Sequence, residues 1–175
     1  MDDVLRVVAR LKSTAPKVRL RVLGDGPELE SLRALARSLG LEGTVTFAGH
    51  VHADALVEEY RQASAFLLMS RSDRIPNVVR EAMASGCPCV VTATQGMDEI
   101  VAHGHTGYLV ELGDVEAASE HLRSTLFAPE QHALMVSDAR DLIVERFSVD
   151  AAMSVYRRVW LEVSSKRDQL HGTVT

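Results

Sequence analysis

Two short runs constrain this chain more than any other feature. Ala65-Phe66-Leu67-Leu68-Met69 and Cys89-Val90-Val91-Thr92 are apolar at almost every consecutive position. A strand built this way must bury both of its faces, and that happens mainly in parallel sheets covered by helices on both sides. The rest of the chain supplies those helices. Val4, Leu5, Val7, Val8 and Leu11 recur at helical spacing, and so do Leu29, Leu32, Leu35, Ala36 and Leu39 before Gly40. Residues 53–63 and 77–85 read the same way, with a short helix near 98–102. Further strands are predicted at 18–23, 44–48 and 107–110. From Asp114 onward the pattern is helical, with breaks near Pro129 and Phe147 and Ser148 as an N-cap. The fold class is therefore α/β, a Rossmann-like parallel sheet with helices on both faces. One domain spans 1–165, and a polar tail that should fray spans 166–175.

A chain of 175 residues is long enough to bury a core without disulfides or metals. Cys87 and Cys89 stand too close together for an unstrained bridge, so they read as free thiols in a reducing cytoplasm. A net charge of −5 leaves no basic stripe, which argues against nucleic acid as a partner. No apolar run is long enough to span a bilayer. The acidic opening Met1-Asp2-Asp3 lacks the pattern of a signal peptide.

Parallel α/β sheets bind ligands at the carboxyl ends of their strands, which directs attention to the loops at 24–27, 70–76 and 93–97. The richest of these runs from Ser70 through Asp73, Arg74, Pro76 and Asn77 to Glu81 and Gly86. A buried strand ends, a polar loop turns and a helix begins, so the helix presents unpaired amides that favour a phosphate. Asp73 before the helix and Glu81 about one turn inside it could accept hydrogen bonds from sugar hydroxyls. On spacing alone, Asp73 capping the turn and Glu81 as a solvated acid account for the pattern equally well.

Several ordered motifs carry a resemblance. Asp73 to Glu81 resembles the Glu-x7-Glu signature of the family-4 retaining glycosyltransferases, in the C-terminal half of the GT-B fold. Val22-Leu-Gly-Asp-Gly-Pro27 is similar to that family's strand-end glycine loop, and Val45-Thr-Phe-Ala-Gly49 to its next strand. Thr92 to Val101 resembles its Gly-Gly loop followed by Pro-Glu-Ile-Val. Gly104 to Val110, Gly113-Asp114 and Glu145-Arg-Phe147-Ser148 resemble its last strand, turn and final helix. The likeness covers roughly residues 1–160.

The resemblance implies a nucleotide-diphosphate sugar as the bound substrate, with no metal and no cofactor. Glu81 would hold the ribose, with Gly24, Asp25 and Gly26 beside the nucleotide. Asp73 and Arg74 would meet the donor sugar, and the backbone near Pro76, Asn77 and Val78 the β-phosphate. No catalytic residue is assigned within this half. Two positions depart from the family: Asp73 stands where Glu is usual, and Arg74 where Gly is usual. The family's diphosphate-binding Arg and Lys, a first strand and an acceptor domain would all lie upstream of Met1. With the order 3-2-1-4-5-6, the first strand is central, and its absence would leave a gap inside the sheet. The expected activity is sugar transfer with retention, in polysaccharide or glycolipid synthesis, in the cytoplasm or peripherally at the inner membrane face. The chain alone should be inactive. The alternatives are a non-catalytic nucleotide-sugar-binding remnant or subunit that completes a separate N-terminal half, and, ranked lower, a nucleotide-sugar epimerase.

Other motifs read more plainly. Gly24-x-Gly26 lacks the third glycine of a dinucleotide site, since position 29 is Leu. His50-x-His52 and His103-x-His105 have no metal-type neighbours in sequence. The apolar face of residues 149–162, with Val155, Val159 and Trp160, could seat a partner, and is expected rather to pack on the parent domain, missing or present.

Overall fold

Parallel pairing organises the molecule. The computed structural model describes residues 1–71 and 75–171, with backbone alone over 165–171. In chain order the elements are α1 (Asp2–Lys12), β1 (Leu20–Leu23), α2 (Leu29–Ser38), β2 (Val45–Gly49), α3 (Ala53–Gln62), β3 (Phe66–Leu68), α4 (Asn77–Ala84), β4 (Cys89–Thr92), β5 (Tyr108–Val110), α5 (Val115–Phe127), α6 (Ala133–Phe147) and α7 (Val149–His171). Short 3-10 turns at Met97–Glu99 and Pro129–His132 complete the description. The first replaces the short helix expected near 98–102. The breaks expected near Pro129 and Phe147 are both present. Ser148 Oγ accepts from the Ala151 amide at 3.1 Å, as an N-cap should.

All strand pairs are parallel, and they form two groups. β1 pairs with β2, with Leu20 opposite Val45. β3, β4 and β5 pair in that order, Phe66 opposite Cys89 and Val90 opposite Tyr108. The order is thus β2-β1, then β3-β4-β5, and among the described residues no strand joins β1 to β3.

The alternation of β4 shows why both faces needed apolar residues. Val90 packs toward α1 and α5 with Val7, Leu11, Ala118 and Leu122. Cys89 and Val91 pack the other way, with Val79, Ala82 and Met83 of α4 and Ala139 and Ile143 of α6. A third cluster joins Leu5 and Val8 of α1 to α2 over β1 and β2. Helices therefore cover both faces, and α1 lies under both strand groups. β4 is fully buried, whereas Phe66, Leu67 and Leu68 of β3 are only half-buried. The difference follows from pairing: β4 has a neighbour on each side, β3 on one.

Arg21 of β1 points outward and clasps Glu59 of α3 through two hydrogen bonds of 2.8 and 2.7 Å. Their mutual hydrogen bonding holds the Glu59 carboxyl below its usual range. Cys87 and Cys89 are buried free thiols, and burial pushes Cys87 up to about 12. At the other end, α7 keeps a helical backbone through His171. Val155, Val159 and Trp160 are exposed in this chain.

Candidate functional site

Because the strands within each group run the same way, the chain leaves β3 and β4 at one edge of theirs and β1 at the corresponding edge of its own. Thr92 Oγ donates to the Leu68 carbonyl at 3.2 Å, tying the ends of β3 and β4 together. The Ala93 amide donates to Val110 O at 2.8 Å and ties in β5. Gly96 adopts a positive φ of 84°, and a Cβ there would stand 3.7 Å from Ile75. The 93–97 loop therefore lies against the approach to α4.

α4 starts at Asn77 with Pro76 as its N-cap residue, in extended conformation, and among the described residues no side chain caps the first turn. Pro76 has no N–H, so the donors at this end are the amides of Asn77 and Val78, with the helix dipole behind them. Asn77 Oδ1 accepts from Arg80, whose guanidinium lies over the Phe147 ring at 5.7 Å. One turn further in, Glu81 is exposed, and its Oε2 accepts from Tyr60 Oη of α3 at 3.4 Å. Tyr60 is itself buried against Phe66. Burial first, and then the charge of Glu81, push its phenol well above the usual range, so it stays a donor.

Pro76, Asn77, Val78 and Glu81 are thus brought together by one helix. Asp73 and Arg74 lie outside the described residues. The Gly24-Asp25-Gly26 loop is exposed at the end of β1. Gly24 has φ 108°, and its amide donates to Gly49 O at 2.7 Å. The Asp25 carboxylate is engaged with its own scaffold, accepting from the His50 amide at 3.1 Å. Its backbone, with that of Gly24 and Gly26, is what the loop presents. One residue escaped sequence reasoning. Arg71 reaches from the 70–76 loop to Asp3 at the start of α1, 3.3 Å away, and brings a cation to this edge. Its place beside Arg74 in the same strand-end loop was the available signal.

A cavity of about 460 Å³ lies apart from α4, between Asp98–Ala102, His105–Thr106 and α6. Asp98, Glu99, Asp138, Asp141 and Glu145 line it, a charge unsuited to a diphosphate. Among the described residues no group of three or more His, Cys, Asp or Glu could hold a metal. His105 Nδ1 lies 3.3 Å from Asp138, and the His50 and His52 rings meet edge to face.

Comparison with known proteins decides the family. The profile described as "Glycosyl transferases group 1" matches residues 1–142. The chain belongs to the glycosyl transferases group 1 family. Among relatives of this glycosyltransferase chain, the N-acetyl-alpha-D-glucosaminyl L-malate synthase of Bacillus anthracis is 32% identical over 174 residues, 99% of this chain and 44% of that protein. The chain spans less than half the length of the curated relatives it matches. Solved GT-B glycosyltransferases share its fold. HepE of Anabaena in complex with UDP-glucose superposes with a TM-score of 0.81 at 22% identity, over 93% of this chain and 44% of that one. The C-terminal domain of LpcC from Francisella tularensis, a glycosyl transferase group 1 family protein, gives 0.76 at 19% identity, over 85% of this chain and 79% of that one.

Proposed function

We propose that this glycosyltransferase chain is the C-terminal, donor-binding half of a family-4 retaining enzyme. It would hold a nucleotide-diphosphate sugar whose sugar passes to an acceptor hydroxyl with retention, in polysaccharide or glycolipid synthesis. The observation that carries the reading is the N-terminus of α4, with the Asn77 and Val78 amides, at the strand-end edge of a parallel sheet, with Glu81 one turn inside. Two amides and a dipole suit the β-phosphate, and a carboxylate beyond them suits the paired hydroxyls of a ribose. Gly24, Asp25 and Gly26 offer backbone beside the nucleotide. Asp73 and Arg74 keep their assignment to the donor sugar from the sequence likeness. The reading needs no metal or cofactor, since amides and cations neutralise the diphosphate. The acceptor site would belong to a separate N-terminal domain or partner chain, through which contact with the inner face of a membrane would also be made. Among the described residues no helix is long and apolar enough to cross a membrane.

Calorimetric titration of the chain with UDP, GDP and their sugar conjugates tests the reading. Binding of at least one of them, weakened by Glu81→Gln, is expected. No binding by any of them at millimolar concentration sinks it. A second reading is a nucleotide-sugar-binding subunit that acts with a separate N-terminal half. Binding without transfer by the chain alone, with transfer restored when such a half is added, distinguishes it.

A further inference from the structure

Arg80 stands one turn beyond Asn77 in α4, beside Glu81, and is half-buried. Its guanidinium donates to Asn77 Oδ1 and lies over the Phe147 ring, 5.7 Å from the centroid. Phe147 closes α6 and packs on the core cluster that holds Val79 and Met83 of α4. The ring is therefore a fixed platform, and a guanidinium stacked on an aromatic face keeps its planar fork oriented. Among the described residues no carboxylate pairs with Arg80. What the fork holds is one amide oxygen.

That oxygen matters because of where it stands. Asn77 is the first residue of α4. A short polar side chain at a helix start readily turns back onto a neighbouring backbone N–H. There it competes for the donors that the helix end offers to a ligand. In this chain Asn77 Oδ1 is committed to Arg80, and among the described residues it accepts from no backbone amide.

We propose that Arg80, seated on Phe147, is a positioning residue for the donor diphosphate: it holds Asn77 Oδ1 off the first-turn amides of α4 and leaves them for the β-phosphate. This role rests on the donor-binding reading above. If Arg80 instead touched the phosphate itself, removing the Asn77 oxygen would not silence it.

Calorimetry of the full chain with UDP and GDP, and with UMP and GMP, tests this. A diphosphate should bind more tightly than its monophosphate. Arg80→Ala should lower diphosphate affinity about tenfold, as the loss of a hydrogen bond to a charged acceptor does, and leave monophosphate affinity within about twofold. Adding Arg80→Ala to Asn77→Ala should cost less than about twofold more, because the oxygen is already gone. Phe147→Leu, which takes away the ring, should reproduce the selective loss, and Phe147→Tyr, which keeps it, should not. Circular dichroism of each variant checks the fold. Arg80→Ala with the affinity of the parent overturns the proposal, and so does a loss shared equally by the monophosphate or one that Phe147→Leu does not reproduce. A full loss that persists in the Asn77→Ala background overturns it too, and makes Arg80 a direct phosphate contact. A parent chain that binds none of these nucleotides removes the donor-binding reading, and this role with it.

Discussion

At Glu81 a carboxylate stands on the exposed side of α4 with a buried phenol behind it. If it binds a ribose, Glu81→Gln removes charge-assisted hydrogen bonds, each worth about 1.5–3 kcal/mol. Titration should then show a loss of affinity of about tenfold or more, and an unchanged dissociation constant would remove Glu81 from the site. Gly107 offers a test of packing. A Cβ there would stand 3.0 Å from Val101 Cγ1 and 3.1 Å from the Cys89 carbonyl. The second neighbour is strand backbone and cannot step aside, so Gly107→Ala should cost about 1–3 kcal/mol in urea unfolding. A stability equal to that of the parent would mean that β5 shifts freely on β4. Residue identity made Glu81, Asn77 and the glycines legible as candidates. It did not show that Asp25 would spend its carboxylate on the His50 amide. That bond depends on where β2 ends relative to β1, which is a property of pairing.

Between β5 and α5 an aromatic cluster was illegible in the sequence for the same reason. The Tyr108 ring stacks on His121 at 4.1 Å, and His103 meets both rings edge-on. His132 Nδ1 donates to the Ala128 carbonyl at 2.8 Å, and its Nε2 lies 2.8 Å from Tyr108 Oη. Residues 18 positions apart meet here only because α5 folds back on β5. Burial first, and then the neighbouring His103, lower the affinity of His121 for a proton, against weaker pulls from Glu120 and Asp114. The unfolded chain, with its ordinary histidine pKa near 6.5, then binds more protons than the native one. Stability should fall as pH drops through about 6.5, and His121→Asn should flatten that slope in melts between roughly pH 7.5 and 5.5. A slope untouched by the substitution would refute the assignment. In the same helix, Asp114 Oδ1 accepts from the Ala117 amide at 2.9 Å. Asp114→Ala should cost about 1 kcal/mol, measured the same way.

For the molecule as a whole, the apolar run at 65–69 announced a parallel strand but overstated its burial. Phe66, Leu67 and Leu68 stay half-exposed because β3 is paired on one side only, and a single strand's composition cannot report its neighbours. The β1–β2 and β3–β4–β5 groups should accordingly differ from one another in exchange. Amides of β4, buried at every position and paired on both sides, should outlast those of β1 and β3 in hydrogen–deuterium exchange. Equal protection would mean that something bridges the two groups in solution.

The position of α1 has a consequence for cooperativity. Leu5 and Val8 belong to the cluster over β1 and β2, and Val4, Val7 and Leu11 to the cluster over β3, β4 and β5. Eleven residues therefore couple two groups of strands that share no ladder among the described residues. A substitution that loosens this helix does more than subtract its own packing. It should turn one melting transition into two, with the β1–β2 layer leaving first and a calorimetric enthalpy larger than the van't Hoff value.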